Sequence, residues 1–110
     1  MEKPVKGDVV VVPFPYSDLS SAKRRPAVVA ASLEGEDVIL CQVTSRARKD
    51  AYSVSLSSSD FSSGGLPVES IIRPNRLFTA NSQIIIRKAG SLEEGKINAV
   101  ENILVKLFTA

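Results

Sequence analysis

Two short stretches of the chain hold residue types able to handle a phosphate. Arg25 stands directly before Pro26, at the head of the apolar stretch Pro26–Ser32, and Thr44-Ser45 ends another, Asp37–Thr44. A guanidinium grips two phosphate oxygens through its planar fork and keeps its charge near neutral pH. It thereby stabilises the extra negative charge of a pentavalent phosphorane. A hydroxyl at a strand end can donate to a phosphate oxygen or orient an attacking 2′-OH. If the two stretches are antiparallel hairpin partners, strand start faces strand end, and Arg25 and Thr44 fall at the same end of the sheet.

Composition closes off much of the competing chemistry. The 110 residues include no His and a single Cys. Without imidazole there is no Ser–His–Asp triad, no His-paired Cys nucleophile and no pair of imidazoles for acid–base work. A His/Cys zinc site cannot be assembled within one chain, and neither metal nor cofactor is expected. Cys41, inside Val38–Val43, reads as a small buried hydrophobe, and a lone Cys suits a reducing compartment. The longest apolar run near the N-terminus, Val9–Phe14, is too short for a membrane span or a signal-peptide core. The expectation is a soluble, cytoplasmic protein that does not engage a membrane.

The net charge of +2 is nearly silent about partners, but its distribution is not. Lys23-Arg24-Arg25, Arg46-Ala47-Arg48-Lys49, Arg73 with Arg76, and Arg87-Lys88 hold ten of the fourteen basic residues. Clustered cations in a near-neutral chain suit a local polyanion site. They equally suit solvated loops and edge strands, where charge keeps sheets from pairing with one another.

The elements that must position these groups are mostly strands. Asp8–Phe14, Pro26–Ser32 and Asp37–Thr44 are β-branched or apolar runs too short for helices. Tyr52–Leu56 alternates with period two, which points the Tyr52 ring inward, and Val68–Arg73 and Gln83–Arg87 supply two more candidates. Turn-like segments separate them, notably Ser57–Gly65. The pattern predicts a mainly β protein, a small barrel. Near the end, Ser91-Leu92-Glu93-Glu94 has the form of a capping box, and Ile97, Val100, Ile103, Leu104, Leu107 and Phe108 recur at helical spacing. These predict one amphipathic α-helix over about 92–108, packed on a barrel over about 7–88. With no repeats and no linker, residues 1–110 read as one domain. Phe14, Phe61, Phe78 and Phe108 are too scattered for a base-binding platform and read as core or interface, and Arg73 reads either as a structural ion-pair partner or as a cation reaching the polyanion site.

The ordered set of short motifs resembles the MazF/PemK family of toxin endoribonucleases. It comprises Gly7-Asp8-Val9-Val10 running into Val12-Pro13-Phe14, then Lys23-Arg24-Arg25-Pro26-Ala27-Val28-Val29, then Cys41-Gln42-Val43-Thr44-Ser45. Ser70-Ile71-Ile72-Arg73-Pro74, Leu77-Phe78-Thr79 and Gly90-Ser91-Leu92 continue it along essentially the whole chain. The resemblance implies an SH3-like barrel with a C-terminal helix, acting as a homodimer within a type II toxin–antitoxin system. It implies metal-independent, sequence-specific cleavage of single-stranded RNA. In that reaction a 2′-OH attacks the adjacent phosphate and leaves a 2′,3′-cyclic phosphate and a 5′-OH. By position, Arg25 corresponds to the family's essential Arg before Pro, and Thr44 to its essential Thr at the third strand's end. RNA grip would fall to Tyr16, Lys23, Arg24, Ser45, Arg46, Arg48 and Lys49; Tyr16 would stack on an unpaired base or cap the barrel mouth, and Arg24 would position a phosphate or stand as a plain loop charge. A cognate antitoxin would lay an acidic tail in the same basic groove. Two other readings share the fold: a nucleic-acid-binding barrel that does not cleave, and a gyrase-targeting toxin. The second would need decisive contacts from the last residues, where Leu107-Phe108-Thr109-Ala110 looks structural.

Overall fold

The computed structural model describes residues 2–15, 22–45 and 49–110. Seven strands precede one helix among these residues: β1 (Asp8–Pro15), β2 (Ala22–Ser32), β3 (Asp37–Thr44), β4 (Val54–Leu56), β5 (Phe61–Gly64), β6 (Ser70–Asn81), β7 (Arg87–Leu92) and α1 (Glu94–Thr109). They form one antiparallel sheet in the order β4-β6-β3-β2-β1-β7-β5. The outermost strands, β4 and β5, are neighbours in the chain, joined only by residues 57–60. A flat sheet of seven strands would hold its edges roughly 29 Å apart. Five Cα steps reach at most about 19 Å. The sheet therefore curls into a half-barrel.

Curling gives the sheet two buried faces, so the central strands carry unbroken apolar runs, Val9–Val12 in β1, Pro26–Ala31 in β2 and Val38–Cys41 in β3. Val9, Val28, Cys41, Val43 and Ile72 point to one side, where Val54, Leu56, Phe61 and Leu92 complete a core under α1. Val10, Val12, Ala27, Val29, Val38 and Leu40 point to the other, with Ile85 and the partly buried Phe78. The helix lays Ile97, Val100, Ile103 and Leu104 on the first core, as its spacing predicts. Its last turn departs from that stripe, and Phe108 is 74% exposed.

Several boundaries differ from the sequence reading, each for a local reason. Ser91 does not cap the helix. It pairs with Asp8 in the β1–β7 ladder and donates its hydroxyl to Asp8 Oδ1 at 3.1 Å. Asp8 is a buried carboxylate, and the Val5 amide (3.0 Å) and Lys88 Nζ (3.2 Å) complete its shell. The helix begins two residues late, with Glu93 as an N-cap that makes no side-chain cap. Gln83–Arg87 is not a strand: the Asn81 carboxamide accepts the Gln83 amide at 2.8 Å and sets a 3₁₀ turn over Ser82–Ile84. Of Ile84, Ile85 and Ile86 only Ile85 is buried, and β7 starts at Arg87. Strand β6 runs well past Arg73 because Pro74, which has no N–H to pair, is accommodated in a bulge. The register against β3 jumps there from Cys41↔Leu77 to Gln42↔Arg73. Ser57–Gly65 contains both a turn and β5.

The link that closes the curl is fastened to the helix. The Ser57 amide donates to Asp60 Oδ2 at 2.8 Å, Lys96 Nζ lies 3.4 Å from the same oxygen, and Lys96 also donates to the Ser55 carbonyl at 2.8 Å. Partial desolvation pushes the Asp60 carboxyl up, but the Ser57 amide and the Lys96 charge outweigh it and hold the carboxyl below its ordinary value.

At the far edge, β5 approaches β7 too closely for a side chain. A Cβ on Gly90 would meet the Ser63 carbonyl oxygen at 2.4 Å and Phe61 Cδ2 at 2.9 Å. Gly90→Ala should therefore cost about 1–3 kcal/mol, read as a lower urea midpoint. Gly95→Ala on the helix, where a Cβ meets nothing within 4 Å, should instead gain about 0.5–1 kcal/mol.

Candidate nucleic-acid interface

Strand β2 enters the sheet from its basic end. Phe14, Pro13 and Val12 of β1 stand opposite Lys23, Arg24 and Arg25. On its other side β2 pairs with β3 through Ala27↔Gln42 and Val28↔Cys41. Extending that register by two residues sets Arg25 opposite Thr44. Opposed residues on antiparallel strands share a face, so Arg25 and Thr44 lie on one side and Arg24 on the other. Hairpin pairing thus brings the start of β2 to the end of β3.

A groove of about 440 Å³ opens at this end of the half-barrel. Lys23, Arg24, Arg25 and Arg87 bring four cations to it, and no Asp or Glu lines it among the described residues. Thr44 and Ser45 supply hydroxyls, and Leu66, Pro67, Val68 and Ile86 form an apolar wall. Arg25 is half-buried, Thr44 is buried, and Lys23, Arg24 and Ser45 are exposed. A cationic floor with no carboxylate, beside an apolar wall, suits a ligand with anionic and flat apolar parts. Both parts of a nucleotide fit that description.

Five of the residues singled out in the sequence therefore come together: Lys23, Arg24, Arg25, Thr44 and Ser45. Lys49 lies in an adjoining depression that shares Ser45 and Ser70 with the groove. Tyr16, Arg46 and Arg48 lie outside the described residues. Arg87 was missed as a site residue. Its doublet with Lys88 is visible in the sequence, but only the β1–β7 ladder, through Val11↔Arg87, carries it to the groove. Lys88, its neighbour, turns instead to Asp8.

Three residues settle into structural roles. Cys41 is buried, and burial pushes its thiol up to about 12, which removes it as a nucleophile near neutral pH. Arg73 pairs with Asp50 at 3.6 Å, in keeping with its ion-pair reading, although its buried Nε has no hydrogen-bond partner among the described residues. Tyr52 is not a core residue. It sits in a turn and is 42% exposed, because Asp50 Oδ1 accepts the Tyr52 amide at 2.9 Å and holds the chain out of the strand.

That turn also fixes the chain next to Lys49. The Tyr52 amide, then the Ser53 hydroxyl and the Arg73 charge, hold the Asp50 carboxyl below its ordinary value, against a smaller upward push from desolvation. A depressed carboxylate contributes order that is present above its unfolded pKa and lost as pH falls through the folded one. The Tyr52 amide resonance should accordingly titrate with a midpoint below the ordinary 3.8. Arg73→Met should move that midpoint upward, as measured by NMR.

Comparison with known proteins accords with this architecture. Residues 5–108 match the family described as PemK-like, MazF-like toxin of type II toxin–antitoxin system. No curated protein matches the chain by sequence. Among solved structures, MazF from Deinococcus radiodurans superposes with a TM-score of 0.78 at 20% identity, covering 100% of both chains. The MazE–MazF complex from the same organism gives 0.78 at 19% identity, covering 97% of each chain. An endoribonuclease from a mycobacterial species, in complex with its cognate antitoxin, gives 0.77 at 15% identity, covering 96% of this chain and 95% of that one. At these identities the superpositions speak for the fold, and the family match, which spans nearly the whole chain, speaks for kinship: this chain belongs to the PemK-like, MazF-like toxins of type II toxin–antitoxin systems.

Proposed function

We propose that the protein is the toxin of a type II toxin–antitoxin pair and acts as a sequence-specific endoribonuclease on single-stranded RNA without a metal ion. The observation that carries this reading is the register that sets Arg25 opposite Thr44 in a groove with four cations and no carboxylate among the described residues. In the proposed reaction a ribose 2′-oxygen bonds to the adjacent phosphorus and the P–O5′ bond breaks. The 2′-OH gives up its proton and the departing 5′-oxygen takes one. The products are a 2′,3′-cyclic phosphate and a 5′-OH end. Arg25 braces the phosphorane, whose charge its fork meets at two oxygens. Thr44 binds and aligns the scissile phosphate. Lys23, Arg24 and Ser45, together with Tyr16, Arg46, Arg48 and Lys49, hold the flanking strand.

The same groove suits the acidic tail of a cognate antitoxin, since among the described residues a carboxylate-rich segment would meet only cations along its charged walls. Two of the superposed structures are toxin–antitoxin complexes, which supports that partner. The protein is proposed to work as a single-domain homodimer in the cytoplasm. Among the described residues no helix is long and apolar enough to cross a membrane.

The test is incubation with long single-stranded RNA in EDTA, followed by end-group analysis. Cyclic-phosphate and 5′-OH ends should appear with the wild type. With Arg25→Ala they should fall by roughly 100-fold or more. Arg25→Lys, which keeps the charge and loses the fork, should be nearly as impaired, and circular dichroism checks that both fold. Thr44→Val keeps shape and removes the hydroxyl, so full cleavage by it would reduce Thr44 to a strand residue. RNA affinity should also fall steeply with salt. A folded wild type that binds RNA but yields no new ends would favour the non-cleaving barrel.

A further inference from the structure

Beside the Arg25–Thr44 groove lies a second depression of about 440 Å³, sharing Ser45 and Ser70 with it. That volume is within the roughly 300–1,000 Å³ of small-ligand sites. Its charge is mixed where the first is uniformly basic: Lys49 is its cation and Glu69 its carboxylate among the described residues. Glu69 is exposed at the threshold of β6 and has no ion-pair or hydrogen-bond partner among those residues. The nearby hydroxyls are partly committed. Ser70 donates to the Val68 carbonyl at 3.1 Å, and Ser57 donates to Asp60 Oδ2 at 3.2 Å. Recognition by charge in this depression falls to Glu69 and Lys49, with the Ser45 and Ser55 hydroxyls beside them.

A carboxylate only accepts hydrogen bonds, and it accepts two side by side. Among the base edges of RNA, guanine alone sets two N–H donors together, at N1 and N2. Adenine and cytosine place one donor beside an acceptor, and uracil places one donor between two acceptors. An acidic peptide would be repelled by Glu69, and a nucleotide needs both signs: a cation for its phosphate and a polar edge for its base. We propose that this depression is a specificity subsite for a guanosine flanking the cleaved bond, with N1–H and N2–H on the Glu69 carboxylate and the phosphate on Lys49. The proposal rests on the nuclease reading only in placing the cleaved bond next door.

The probe is a set of uncleavable 2′-O-methyl uridine heptamers, each carrying one guanosine at a different position, with inosine counterparts that lack the N2 amine. Fluorescence anisotropy should show one guanosine position bound about tenfold more tightly by the wild type than its inosine counterpart. Glu69→Gln, which offers one acceptor and one donor, should erase most of that ratio, whereas Lys49→Gln should weaken all heptamers alike and keep it. A ratio near one in the wild type, or a ratio that survives Glu69→Gln, overturns the subsite. Guanosine discrimination without cleavage of natural RNA would uphold the subsite and sink the nuclease reading. Cleavage without discrimination would do the reverse.

Discussion

The four-residue link between β4 and β5 is the constraint on which the rest of the structure depends. Seven antiparallel strands have no intrinsic reason to curl this far, since twist alone yields an open sheet. A short tether between the two edges supplies the reason, and Asp60 and Lys96 fasten that tether to the helix. Curling then buries both faces of the central strands. It also gathers the start of β2, the end of β3 and the start of β7 around one opening, which is where the cationic groove lies.

The second physical theme is how buried or half-buried charge is satisfied. Asp8 is almost wholly enclosed, and it draws in the Val5 amide, the Ser91 hydroxyl and the Lys88 ammonium. An enclosed carboxylate without such partners would be costly. Its demand shapes the neighbourhood: Ser91 is kept in the ladder, and Lys88 is turned away from the groove that Arg87 lines. Two adjacent basic residues thus take different tasks because strand alternation hands each to a different neighbour.

Much of the fold was legible because its signals are local. Asp37–Thr44, rich in Val, Ile and Leu, is β3 residue for residue. The spacing of Ile97, Val100, Ile103 and Leu104 marked the helix, and Pro26 marked where Arg25 must stand. What stayed hidden depends on long-range contacts. Strand β5 is Phe-Ser-Ser-Gly, with a single inward apolar residue, and only its fit against Gly90 makes it a strand. The capping signal at Ser91 was real in form but lost to Asp8, 83 residues earlier. Arg25 and Thr44 were legible as a pair because hairpin connectivity is nearly determined by sequence order. Arg87 and Glu69 were not, since their places follow from the closing of the half-barrel.

Arg25 and Thr44 stand on regular, mutually paired strands, while Leu66, Pro67 and Val68 of the groove wall lie on the connection between β5 and β6. Such connecting segments accept substitution and insertion far more readily than the strands they join. The architecture therefore separates inheritance into two parts. A lineage can rewrite what its protein grips, one connecting segment at a time, while the paired residues beneath pass unchanged from ancestor to descendant. Diversification of targets from one ancestral scaffold is the evolutionary behaviour this arrangement favours.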